Sequence, residues 1–132
     1  MRGRYLLDTN AAIALLKGDP ALEKILEHET SISISVVAVG ELYYGAQKSH
    51  RVAENLESVE KLADHCQVLS CDLEVARWFG RIKNRLRAKG RPIPINDLWI
   101  VATAFSHELT LLTDDRHFTE VGGVRLKSWR VV

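Results

Sequence analysis

Short apolar runs alternate along this chain with longer stretches of helical periodicity, and that alternation restricts it to folds built on a mostly parallel sheet. Residues 5–7, Tyr-Leu-Leu, form one such run, and residues 10–17 are expected as a helix stopped by Gly18-Asp19-Pro20. Pro20 suits the first turn of a second helix reaching about His28. Residues 30–35, Thr-Ser-Ile-Ser-Ile-Ser, alternate strictly, as a strand would. Helices are expected over 36–48 and 51–65, the second with Val52, Leu56, Val59 and Leu62 or Ala63 on one face. A short strand over 67–70 and a long helix over 72–89 follow, the helix stopped by Gly90-Arg91-Pro92. Then come a helix over 96–107 and strands over 110–113 and 124–129. The expected fold is an α/β sandwich with a central, largely parallel sheet of about four to five strands flanked by helices. No repeat, linker or low-complexity segment divides the 132 residues, so one domain over 1–132 is expected.

Four acids, Asp8, Glu41, Asp97 and Asp115, stand at junctions of these elements with apolar sequence around them. Carboxylates usually occupy solvated faces, because desolvating a charge is costly. Asp8 follows the first strand and Asp115 a late one, and ligands in open α/β sheets bind outside the carboxyl ends of strands. Asp97 shares a helix face with Ile100, Val101, Ala104 and Phe105, the inward one. Glu41 lies within Val-Val-Ala-Val-Gly-Glu-Leu-Tyr-Tyr-Gly-Ala, with no base before Lys48. Each acid alone has an ordinary use: Asp8 as a helix cap, Asp97 as a first-turn acid, Asp114 and Asp115 as turn formers, Glu41 as an exposed helix acid. Asp72 opens its helix without apolar flanks on both sides and is expected to be a cap. Together the four suggest one acidic pocket that needs a cation, and oxygen-only ligands favour Mg2+ or Mn2+. Chemistry on phosphate follows.

Formal net charge is +1, from 18 bases and 17 acids, so any nucleic-acid signal has to be local. It is: Arg77, Arg81, Lys83, Arg85, Arg87, Lys89 and Arg91 follow one another with no acid between them. Such a run is commonly a solvated helix face. The missing acids point instead to a polyanion or an acidic partner segment, with Arg81 and Arg85 as contacts and Arg116, beside Asp115, closer to the pocket. The two cysteines, Cys66 and Cys71, lack a zinc-site pattern and suit free thiols in a reducing compartment. No apolar run approaches a membrane span, and a cytoplasmic location is expected. Of the five histidines only His117 is near the pocket, and all are expected to be structural or surface residues. Trp78, Trp99 and Trp129 are expected as core or interface anchors.

The four acids and their flanks resemble the PIN domain, in particular the VapC-type toxin ribonucleases of bacterial toxin–antitoxin pairs. Leu-Leu-Asp-Thr-Asn is similar to the first motif of that family, Val-Gly-Glu-Leu-Tyr-Tyr-Gly-Ala to the second, Asn-Asp-Leu-Trp-Ile-Val-Ala to the third and Thr-Asp-Asp-Arg-His-Phe to the fourth. The likeness spans residues 6–118 and aligns Asp115, rather than Asp114, with the fourth acid. It implies endonucleolytic RNA hydrolysis by metal-activated water, leaving a 5′-phosphate. Asp8 and Asp97 are then expected as the most direct metal ligands, with Glu41 and Asp115 completing the site directly or through water. Thr9, Asn10, Ser35 and Thr113 would orient waters or carboxylates behind them, or serve as caps and turn formers. A homodimer and a VapB-like antitoxin that places a basic residue in the pocket are further implications, with helices 36–44 and 51–65 as candidate partner surfaces. Alternatives are a non-catalytic RNA-binding or scaffold module on the same fold, and a magnesium-dependent phosphatase or phosphotransfer domain. The latter would want an acid at position 10, where Asn10 stands, or a late strand-end lysine, where Thr113 stands.

Overall fold

A computed structural model describes residues 4–130. Strand β1 (Tyr5–Leu7) leads into helices α1 (Thr9–Leu16) and α2 (Pro20–Leu26), and β2 (Ser33–Ser35) into α3 (Val36–Gln47) and α4 (Val52–His65). Strand β3 (Gln67–Leu69) leads into α5 (Leu73–Ala88) and α6 (Ile95–His107). Strand β4 (Thr110–Leu112) is followed by a 3-10 turn (Arg116–Glu120) and β5 (Leu126–Lys127). The five strands form one sheet in the order β3-β2-β1-β4-β5, every neighbouring pair parallel. A parallel pair needs a long crossover, which the helix pairs supply. The last crossover instead turns through Gly122 and Gly123, both at positive φ (70° and 78°).

Parallel strands covered on both faces have apolar residues at every position, and β1 obeys: Tyr5, Leu6 and Leu7 are all buried. Leu6, Leu7, Ile34, Leu111 and Leu112 are fully buried, with Ile100, Val101, Ile82 and Phe118 packed around them. Burying each such side chain contributes about 1.5–3 kcal/mol. The chain winds from β1 outward to β3, then crosses back to β4 on the other side of β1. The order reverses beside β1, the place where open α/β sheets hold ligands. The register pairs Leu6 with Ser33 and Leu111, and Leu7 with Ile34 and Leu112. Asp8, Ser35 and Thr113 therefore emerge together at one edge.

Two expected strands are shorter than the sequence suggested. Strand β2 begins only at Ser33, which pairs with Leu6 of β1 and with Gln67, the first residue of β3. Strand β5 keeps only Leu126 and Lys127, and beyond it Trp129 turns into the core. Asp72 is a cap, as expected: its carboxylate accepts from the Val75 N–H at 3.0 Å and opens α5. Trp78 stacks on Phe105 (centroids 4.9 Å) and Phe79 on Trp99 (3.9 Å), so α5 and α6 run antiparallel and the tryptophans anchor packing. Cys66 and Cys71 are free, and burial pushes the Cys66 thiol up to about 11. No helix among the described residues is long and apolar enough to cross a membrane.

Replacing Asp72 by Ala leaves the first N–H groups of α5 without their side-chain partner. The expected cost is about 1 kcal/mol of stability, measurable by urea denaturation. No loss would mean that water caps α5 equally well.

Candidate active site

Asp8 leaves β1 at the sheet's carboxyl edge, where its backbone N–H still reaches the Leu112 carbonyl at 3.3 Å. Its side chain is 3% exposed. Oδ1 accepts from the Ala11 N–H at 2.7 Å and caps α1, and Oδ2 accepts from the Thr113 hydroxyl. The cap reading and the pocket reading therefore hold together for this one side chain. The Thr113 hydroxyl oxygen in turn accepts from the Asp115 N–H at 3.0 Å, so one threonine ties the acid after β1 to the acid after β4. Asp115 accepts from the His117 N–H at 2.9 Å, which opens the 3-10 turn. Asp97, in the first turn of α6, and Asp115 both face His117, whose Nδ1 lies 3.9 Å and 3.1 Å from their oxygens. Glu41, on α3, accepts from the Thr9 hydroxyl at 2.6 Å.

Thr9 and Thr113 thus each donate a hydrogen bond to one of the acids. Ser35 does not join them; it accepts from the Val37 N–H at 3.1 Å and caps α3. Asn10 is exposed and lines a separate cleft with Asp114, Trp129 and Arg130. Asp114 points that way too, paired with Arg130 Nε at 2.6 Å, which leaves Asp115 as the acid of the pocket.

Electrostatics single out Asp97. Burial raises its pKa first, then repulsion from Asp115 and from Glu41, with His117 opposing. Asp8 is pushed up to about 6, mainly by burial and further by Asp114 and Asp97, against the hydrogen bonds from Thr113 and Ala11. Asp97 is therefore coupled to all three other acids. Among the described residues, the only basic side chain within ion-pair distance of these four carboxylates is His117. Oxygen donors whose repulsion is so little relieved fit a divalent cation. The tightest group is Asp97, Asp115 and His117, whose potential ligand atoms all lie within 4.8 Å of one another. Asp8, expected with Asp97 as a direct ligand, stands next to this group with both its oxygens hydrogen-bonded. His117 was not expected in the group. Its place follows from the 3-10 turn, which folds a residue two positions on back over Asp115.

In the basic run, Arg81 lies over the Trp78 ring at 4.6 Å. Arg85 and Arg87 are exposed in the last turn of α5, and Lys89 just beyond donates to the Glu120 carbonyl at 2.9 Å. This basic end of α5 adjoins the 3-10 turn, where Arg116 is exposed beside Asp115.

The PIN domain family model matches residues 5–124. The tRNA(fMet)-specific endonuclease VapC of Shigella flexneri is 35% identical over 129 residues, 96% of this chain and 98% of that protein. The solved structure of DNA-bound VapBC from Salmonella typhimurium superimposes with a TM-score of 0.92 at 32% identity, over 98% of this chain and 100% of that one. VapBC2 from Rickettsia felis, bound to a DNA fragment from its promoter, gives 0.87 at 25% identity, over 96% and 98%.

Because the Asp8 pKa is raised on folding, the folded state holds more protons than the unfolded chain between about pH 4 and 6. Stability should therefore fall as pH rises through that window, by a contribution on the order of 3 kcal/mol at metal-free neutral pH. Asp8→Asn removes this contribution and should be the more stable protein at pH 7 in chelator. Urea denaturation of both proteins at pH 4, 5, 6 and 7 checks it; parallel profiles would mean Asp8 is not the group responsible.

Proposed function

This chain belongs to the PIN domain family, and from that premise we propose that it is a divalent-cation-dependent endoribonuclease, the toxin of a VapBC-type pair. The observation that supports this most is the position of Asp97, coupled to Asp8, Glu41 and Asp115 from three other elements at the edge where the strand order reverses. Asp97 and Asp115 would hold the cation, Mg2+ or Mn2+. Glu41 and Asp8 complete the negative shell, fixed by Thr9 and Thr113. When bound, a divalent cation acidifies water and neutralises charge developing on phosphate oxygens. The net reaction adds water across a phosphodiester: the new P–O bond leaves a 5′-phosphate, the bond to the 3′ oxygen breaks, and that oxygen takes a proton. Glu41, only partly buried, would accept the proton that water gives up.

RNA approaches along the bases at the end of α5, with Arg116 nearest the scissile phosphate. Contacts of this kind weaken as salt rises. A groove of about 360 Å3, lined by Ile13, Leu16, Leu42 and Val59, opens beside Glu41. There a VapB-like antitoxin lays its apolar side chains and directs a basic residue at the acids, a pairing that carboxylates favour. Tyr44, 67% exposed on the same helix, extends that apolar surface. The chain acts as a homodimer, and its substrate is a structured RNA, with initiator tRNA first among the candidates.

Purified protein, free of antitoxin, should cut RNA from a structured panel that includes initiator tRNA when Mg2+ or Mn2+ is present and not in chelator. Asp97→Asn, checked for folding, should lower the rate by about a hundredfold or more. Cutting that survives chelator and the substitution alike would sink the mechanism. RNA binding without any cutting would favour a scaffold role.

A further inference from the structure

His117 is the one nitrogen donor in the tight group with Asp97 and Asp115. Three features hold its ring there. Its own N–H donates to Asp115 Oδ1 at 2.9 Å, which fixes the backbone against that acid. Phe118, the next residue, is fully buried and pins the turn. Nδ1 then faces both carboxylates, 3.1 Å from Asp115 and 3.9 Å from Asp97, while the side chain as a whole stays 57% exposed.

We propose that His117 is itself a metal ligand, making this a mixed nitrogen–oxygen site that favours Mn2+ over Mg2+. The inference rests on the nuclease site proposed above. Without a cation, an Nδ1–H can donate to the carboxylates. A cation held between them would take the Nδ1 lone pair, with the ring hydrogen on Nε2. Mg2+ strongly prefers oxygen ligands and gives up its waters reluctantly, so a nitrogen adds little to its affinity. First-row transition dications accept imidazole more readily, so the same nitrogen separates the two cations. A purely acidic cluster would lack that discrimination.

The full chain and its His117→Ala and His117→Asp variants would be titrated with Mn2+ by electron paramagnetic resonance and with Mg2+ by calorimetry. In the unaltered protein, pulsed resonance of bound Mn2+ should show coupling to a nitrogen nucleus, absent from both variants. Mn2+ affinity should fall about tenfold or more in His117→Ala, while Mg2+ affinity changes by less than about twofold. His117→Asp restores a charge without a nitrogen, so it should bind Mg2+ well and still show no nitrogen coupling. Bound Mn2+ with no nitrogen coupling in the unaltered protein, or equal losses for the two cations, would overturn the proposal and leave the acidic site standing. Failure of the unaltered protein and Asp97→Asn alike to bind Mn2+ would overturn both the proposal and the site it rests on.

Discussion

Repulsion among carboxylates held at one partly buried edge is the constraint on which the rest of this molecule turns. Strands β1 and β4 lie parallel and in register, so the residues that follow them emerge side by side. Asp8 is buried there, Asp115 is tied to it through Thr113, and Asp97 and Glu41 approach from α6 and α3. A fold that gathers like charges in this way is destabilised locally and depends on its apolar core for cohesion. The fully buried leucines of β1 and β4 lie directly beneath the acids and supply that cohesion.

Much of this was legible in the sequence because apolar flanks mark an acid that is not on a wet surface. Asp97 shares its helix face with Ile100 and Val101, both fully buried, and that periodicity alone placed it inward. Helix boundaries were legible where a cap or a breaker stood, as at Asp72, Pro20 and Gly90. Strand ends were not, since a strand's length is set with its neighbours, and β2 starts level with the first residue of β3. His117 was illegible for a related reason: its proximity to Asp97 arises from a short 3-10 turn with no periodic pattern.

Charge is organised locally in a chain that is nearly neutral as a whole. The acids collect at the carboxyl edge, the bases at the end of α5 beside it, and an apolar groove on α3 opens next to Glu41. A polyanion and a peptide with apolar and basic side chains would therefore meet the same edge from two sides. Two such ligands would then compete through position, without any conformational change. The three-residue span from Thr113 to Asp115 illustrates how finely the charges are sorted: Asp114 pairs with Arg130 on the outside while Asp115 faces Asp97.

The most direct test is the unfolding free energy at neutral pH as a function of Mg2+ or Mn2+ concentration, for the unaltered protein and for Asp97→Asn. If a cation relieves the repulsion centred on Asp97, the unaltered protein gains stability steadily with the logarithm of metal concentration. Asp97→Asn starts out more stable in chelator and gains little. Equal gains in both proteins, or no gain in the unaltered one, would contradict the view that these four acids form a single cation-dependent centre.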